Sequence, residues 1–327
     1  MRKKILGSLI FSVIALAAVV VVNFFLPRIM PGDPVYTLIG GEDDYVTKEE
    51  YDYYYQLLGL DKPVSEQFGD YLRGLFTGDL GYSYHQGGDV ADVIAEKIPV
   101  TLQVALPAMI ISALIAMLWG LRAGSSKSRM LDRFSTGFNI ALNSVPTFFM
   151  AMLAVIIFAY ELQWLPYGGL NSVIPPDDPF LYFLDRLTHL VLPVGTLVAV
   201  STPAKYVLVR NMAAKEQEAK YAVFAQAKGL SGARVRIVHV FSNICQPFIA
   251  LVGTGFGKML SGSLVVEMIF SLDGMGTLVG NAVTVRDYPT LQGCLFVIAV
   301  MVIVANFATD VLCALSDPRQ RLGEAYE

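Results

Sequence analysis

The sequence predicts an all-α polytopic membrane protein with six transmembrane helices and both termini on the cytoplasmic side, and three observations predict it. Hydrophobic residues make up 54% and charged residues only 16% of the 327-residue chain, whereas an ordinary soluble domain carries about 25% charged residues; the mean hydropathy is +0.54. A hydrocarbon core about 30 Å thick takes about 20 apolar residues per helix, and six runs of that kind occur. Basic residues fall unevenly between the runs, which sets orientation because Lys and Arg favour the cytoplasmic side.

The first run, Ile5 to Leu26, follows Arg2, Lys3 and Lys4. It exceeds the roughly 7 to 15 apolar residues of a signal peptide, so it reads as a retained helix. The segment 31–98 is expected outside: its basic residues are only Lys48, Lys62, Arg73 and Lys97, and its acids include Glu42, Asp43, Asp44, Glu49, Glu50 and Asp52. Thr47 with Glu50 forms a capping-box pattern, predicting a short helix through Leu58 that ends at Gly59. A second helix is expected from Val64 to Leu75, closing near Gly78. Tyr51, Tyr53, Tyr54 and Tyr55 read as interfacial anchors, with direct solute contact the alternative.

Five further spans are expected at Pro99 to Leu121, Phe134 to Tyr160, Leu187 to Val209, Ile244 to Ile269 and Leu291 to Leu315. Pro107, Pro146, Pro193 and Pro247 lie in or beside them, which a bundle tolerates when neighbours satisfy the freed carbonyls. The loop after the second span carries Arg122, Lys127, Arg129 and Arg133 against Asp132 alone, and the loop after the fourth carries Lys215, Lys220, Lys228, Arg234 and Arg236. Both should face the cytoplasm, as should Arg319 and Arg321 in the tail. The net charge of −4 therefore hides an acidic outer and a basic inner face. With no internal repeat or long linker, residues 1–327 read as one domain.

Catalytic signatures are missing. Cys245, Cys294 and Cys313, like His85, His189 and His239, are scattered without metal or disulfide spacing. There is no GxxxxGK[ST] phosphate loop, HExxH or GxSxG. No cofactor, metal or nucleic-acid partner is expected, and any energy must come from elsewhere.

Charged residues near spans are costly, at least about 2.5 kcal/mol each at the bilayer centre. Arg210, Glu267 and Asp310 lie near span ends and read first as structural partners, with solute ligation the alternative. "SLDGMG" (Ser271 to Gly276), with Asp273 and Gly274, reads as a tight external turn, a hinge or gate at the outer mouth. Asn143, Ser144, Pro146 and Thr147 in the third span, and Asn306 in the sixth, are candidates to line a pathway; packing is the equal alternative.

The segment 211–243 is longer than a connection requires. Helix formers carry the fourth span out through Tyr221 and on to Lys228, Gly229 supplies a helix-ending position, and Ser231 caps a second helix beginning near Gly232. Ala222, Ala225 and Ala227 are small enough for another protein to approach closely. The basic residues also suit anionic lipid headgroups, at about 1 kcal/mol each.

The stretch "YAVFAQAKGLSGARVRIVHVFSNICQP" (Tyr221 to Pro247) resembles the cytoplasmic coupling loop of ABC-importer permeases of the oligopeptide, dipeptide and nickel group. "MPGDP" (Met30 to Pro34), "GDLGYS" (Gly78 to Ser83), "VVEMIFSLDGMGTLVGNAVTVRDYPTLQG" (Val265 to Gly293), "NFATDVL" (Asn306 to Leu312) and "DPRQRL" (Asp317 to Leu322) match in order, so the resemblance covers essentially the whole chain. The chain looks most like the first of the two permeases that such systems use. It departs from the pattern at Val223-Phe224-Ala225, which stands for the Glu-Ala-Ala triplet, and at Asp89, where Pro is usual.

The resemblance implies a type I importer permease fold in the cytoplasmic membrane. It implies a non-catalytic subunit working beside a second homologous permease, two ATPase subunits and an extracytoplasmic solute-binding protein. The implied solutes are di- or oligopeptides, nickel chelates, glutathione or similar small molecules. Gly229 would then supply the turn, Ala225 and Ala227 a close-packing face, Lys228, Arg234 and Arg236 charge-assisted contacts, and Leu230 the apolar anchor. The competing class is a self-sufficient secondary transporter or channel driven by an ion gradient. Such proteins more often carry inverted repeats and mid-span carboxylates, and neither is evident here.

Overall fold

The hydrocarbon core offers no water to backbone polar groups, so apolar runs of this length fold as helices, which pair their N–H and C=O groups along the segment. A computed structural model describes residues 2–29, 33–39, 46–126 and 128–316. The acids 42–44, Lys127, most of the 30–34 motif and the tail from 317 lie outside the described residues. In chain order the elements are α1 (Arg2–Ile29), α2 (Pro34–Ile39), α3 (Lys48–Leu57), α4 (Val64–Thr77), the strands β1 (Tyr82–Ser83) and β2 (Gly88–Asp89), α5 (Val90–Gly124), α6 (Arg129–Asn143), α7 (Thr147–Ala154), α8 (Pro179–Gln217), α9 (Lys220–Ala227), α10 (Gly232–Arg234), α11 (Phe241–Ile269), α12 (Met275–Thr284) and α13 (Tyr288–Ser316). Wider π-helical turns, Val155–Glu161 and Val235–Val240, extend α7 and join α10 to α11.

The chain divides into two compact units, and α1, α5 and α13 contribute residues to both. One holds Leu102–Leu272 with the described parts of 1–10 and 304–327; the other holds Phe11–Thr101 and Asp273–Ile303.

In the first unit, α5 meets α8 through Gly120 and Gly124. A Cβ on Gly120 would stand 2.8 Å from the Val209 side chain, and one on Gly124 2.3 Å from the Arg210 carbonyl oxygen. Small residues four apart let two backbones approach in this way. Polar groups turn inward: Trp119 Nε1 donates to Ser135 Oγ at 3.1 Å, and Asn139 is buried while Met130, Phe134 and Phe138 on the same helix are exposed.

The third expected span is corrected. It breaks into α6 and α7, which meet at a bend of 98°. Pro146 is the cause: it lacks an N–H and holds Val145 out of helical geometry, so α7 starts afresh after an extended Pro146. Among the described residues, five helices are long and apolar enough to cross alone, and the bent pair makes a sixth when taken together.

In the second unit, the expected caps form. Thr47 Oγ1 accepts from the Glu50 N–H at 3.3 Å, and Gly59 and Gly78 both take positive φ. Neither α3 nor α4 buries a residue fully. Polar bonds hold this cover instead: Asn23 Nδ2 donates to Tyr71 Oη at 3.1 Å and to the Gln292 carbonyl at 2.7 Å, and the Tyr51 hydroxyl donates to Asp33 at 2.7 Å. The β1–β2 ladder pairs Tyr82 with Asp89, a small exception to the helical class. Within it Ser83 donates to Asp287 at 2.5 Å, joining two motifs far apart in sequence.

Candidate functional site: the elbow between α8 and α11

The elbow begins where α8 stops. Expected to run on to Lys228, the helix ends at Gln217, and Ala219 takes an extended conformation (ψ 143°) before α9. Helix propensity did not prevent the break because two α9 alanines find a better use. Ala222 and Ala225 pack with Ala213 of α8 and with Val235 and Val240, and Leu121 and Leu230 close over them.

At the far end of α9, Gly229 takes φ +86°. The Leu230 N–H donates to the Ala225 carbonyl and the Gly229 N–H to the Gln226 carbonyl, satisfying carbonyls that a helix end leaves bare. Ser231 Oγ then accepts from the Arg234 N–H at 3.3 Å, and the chain enters α10. Tyr221 ties both sides together: its hydroxyl donates to Glu216 and accepts from Asn243 Nδ2 at 2.9 Å. Desolvation between these groups, followed by the Glu216 hydrogen bond, pushes the phenol up to about 12.

This geometry reassigns two residues. Ala225 is buried inside the chain, so it does not present a close-packing face to a partner. Leu230 anchors the elbow's own core. The face turned outward carries Val223 and Phe224, 54% and 61% exposed, together with exposed Ala227, Lys228 and Arg234. The Lys228 ammonium lies 4.6 Å from the Phe224 ring centre. Arg236 is half-buried. Sequence reasoning missed Val223 and Phe224, although two bulky apolar residues in a basic loop, out of phase with Ala222 and Ala225, were the available signal.

The other candidates are dispersed. Asn143 and Pro146 flank the α6–α7 bend and are exposed. Glu267 is fully buried near the end of α11. Asn306 is half-buried on α13, its Oδ1 without a hydrogen-bond partner among the described residues. Asp273 pairs with Lys97 at 2.6 Å while remaining 73% exposed. In the turn that follows α11, the left-handed φ falls on Ser271 (+50°), whereas Gly274 is extended (φ −110°, ψ −169°). The glycine spacing therefore did not mark the strained position. Arg210 forms a two-point ion pair with Asp132, and Asp310 accepts from Ser8 at 2.5 Å.

Two lysines were overlooked. Lys205 is buried in α8 with Nζ 2.8 Å from Ser112 Oγ, and Lys258 lies midway along α11 on an exposed face. A lysine inside an otherwise apolar run was the signal.

Residues 100–322 match the family described as the binding-protein-dependent transport system inner membrane component, and residues 1–105 match the N-terminal region of such membrane components. The chain is 31% identical to the di/tripeptide transport system permease protein DppB of Pseudomonas aeruginosa (strain UCBPP-PA14), over 93% of this chain and 94% of that protein. It is also 31% identical to the glutathione transport system permease protein GsiC of Escherichia coli (strain K12), over 98% of this chain and 99% of that one. A predominantly helical, multi-pass architecture whose sequence matches both patterns places the chain in a family: it belongs to the binding-protein-dependent transport system inner membrane components.

Proposed function

We propose that this chain is one of two homologous permease subunits of an ATP-driven peptide importer, and that α9 is the surface through which a separate ATPase subunit moves it. The names of its relatives, a di/tripeptide and a glutathione permease, supply the solute class. The remaining parts are a second permease, two ATPase subunits that carry out the hydrolysis, and an extracytoplasmic solute-binding protein.

The observation that carries the coupling reading is the two-sided build of α9. Its inner face is packed onto α8 and the start of the α11 segment, while its outer face leaves Val223 and Phe224 bare. A large apolar side chain gains about 1.5–3 kcal/mol when buried, and a groove on a partner supplies that burial. Lipid headgroups would need only the basic residues, not a rigid apolar knob. Because α9 cannot shift without its own core, a push on it is passed to α8 and α11 as a rigid-body displacement, the kind of motion that switches a bundle between two packings.

The test is Phe224→Glu in the assembled importer. Copurification of the ATPase subunits and dialanine uptake into proteoliposomes should each fall at least about tenfold, the equivalent of about 1.4 kcal/mol. Circular dichroism should show the helices intact. Undiminished copurification would remove α9 as the coupling surface.

A further inference from the structure

Lys258 is the exposed charged residue deepest in a span among the described residues. It stands eleven positions before the end of α11 at Ile269, about 16 Å along the axis at 1.5 Å per residue, close to the middle of a hydrocarbon core about 30 Å thick. Its side chain is too short to reach either interface from there. The exposed positions around it, Thr254, Ser261, Val265 and Met268, recur every three or four residues and so share one face of α11.

The two hydroxyls bond their own helix, Thr254 to the Ala250 carbonyl at 2.9 Å and Ser261 to the Gly257 carbonyl at 3.0 Å, as lipid-facing Ser and Thr also do. They do not decide what the face meets. The ammonium does, because a mid-membrane charge turns toward water or toward a counter-charge.

A second cation lies nearby in depth. Ser201 of α8 contacts Met259 Sδ at 3.4 Å, and Gly262 faces Leu197, so one more turn along α8 brings buried Lys205 level with the turn of α11 before Lys258. Among the described residues no carboxylate lies within ion-pair distance of either lysine. This layer of the unit therefore holds two lysines and, among the described residues, no carboxylate paired with either.

We infer that the Thr254–Lys258–Ser261 face of α11 lines a water-filled route through the membrane and that the Lys258 ammonium receives the carboxylate of the passing solute. The inference rests on the importer reading for its solute and adds the group that the route selects.

The test uses the full importer with Cys245, Cys294 and Cys313 replaced by Ala and a single cysteine placed as Thr254→Cys or Ser261→Cys. Each is treated from the aqueous phase with an anionic and a cationic methanethiosulfonate. Local positive potential raises the arrival rate of anions, so the anionic reagent should react about fivefold faster or more. That ratio should collapse in Lys258→Gln and persist in Lys258→Arg. In parallel, dialanine uptake by the importer with its native cysteines should fall about tenfold in Lys258→Gln and recover in Lys258→Arg.

Failure of either cysteine to react would show the face sealed by lipid or by the second permease and would overturn the inference. So would a ratio indifferent to residue 258, or dialanine uptake unaffected by Lys258→Gln. A parent importer that takes up no dialanine would instead strike the importer reading, and the labelling ratio would still judge the face by itself.

Discussion

The elbow around α9 and the cover formed by α3 and α4 both lie outside the long helices, yet they are built in opposite ways. The elbow has an apolar core made of Ala213, Ala222, Ala225, Val235 and Val240. The cover buries no residue of α3 or α4 fully and is held by side-chain bonds such as Tyr51 to Asp33 and the ion pair of Lys62 with Asp70 at 2.7 Å. The coupling role proposed for the elbow requires a part that does not deform under load, and close packing of small side chains provides that stiffness. The α3–α4 region relies instead on polar contacts that exchange with water.

The elbow depends most on Gly229. Its φ of +86° is strained for a β-branched residue, by about 1–3 kcal/mol, and the turn it makes positions everything after α9. Gly229→Val should reduce ATP-driven dialanine uptake at least about tenfold with the helical content unchanged; full uptake in that variant would show that the turn is not a working part of the lever.

A smaller effect separates the two tyrosines whose phenols are both pushed up to about 12. For Tyr51 the leading cause is its hydrogen bond to Asp33, with desolvation second; for Tyr221 the order is desolvation first and Glu216 second. Ultraviolet titration should therefore show Asp33→Asn lowering the Tyr51 midpoint more than Glu216→Gln lowers that of Tyr221. Equal shifts would erase the distinction between a polar cover and a packed elbow. The sign for stability follows from linkage. A phenol raised in the folded state contributes stability that is fully present below its unfolded value of 10.0 and is lost as pH climbs toward about 12.

The smallest effect is expected at Asp70, whose carboxyl is held low by the Lys62 hydrogen bond and charge. That contribution is present above the unfolded value of 3.8 and disappears as pH falls through the lower folded one. Asp70→Asn should leave the melting temperature at pH 7 and the uptake rate unchanged, as exposed ion pairs contribute little. A clear loss of uptake would mean that the cover is stiffer than its bonding suggests.

Local signals were legible where the determining groups are neighbours in sequence. Thr47 and Glu50, Gly59, Gly78, Gly229 and Ser231 all took the positions that their chemistry assigns them. The bend at Pro146 was not legible: Pro193 and Pro203 sit inside α8 and Pro247 inside α11 without ending either helix, so the residue type alone does not say which proline breaks a span. Nor was the inward turn of Ala225, since alanine spacing shows a close approach without naming what approaches.

The helical class, the approximate spans and the elbow's turn were legible in the chain alone, because backbone groups in a bilayer have no water to bond and each segment's composition must suit its surroundings. The partners were fixed only when the helices packed. Arg210 meets Asp132 across 78 positions, Lys205 meets Ser112 across 93, and Ser83 meets Asp287 across 204. Those pairings, and the bare side of α9, depend on which helix faces lie together, and no local pattern carries that information.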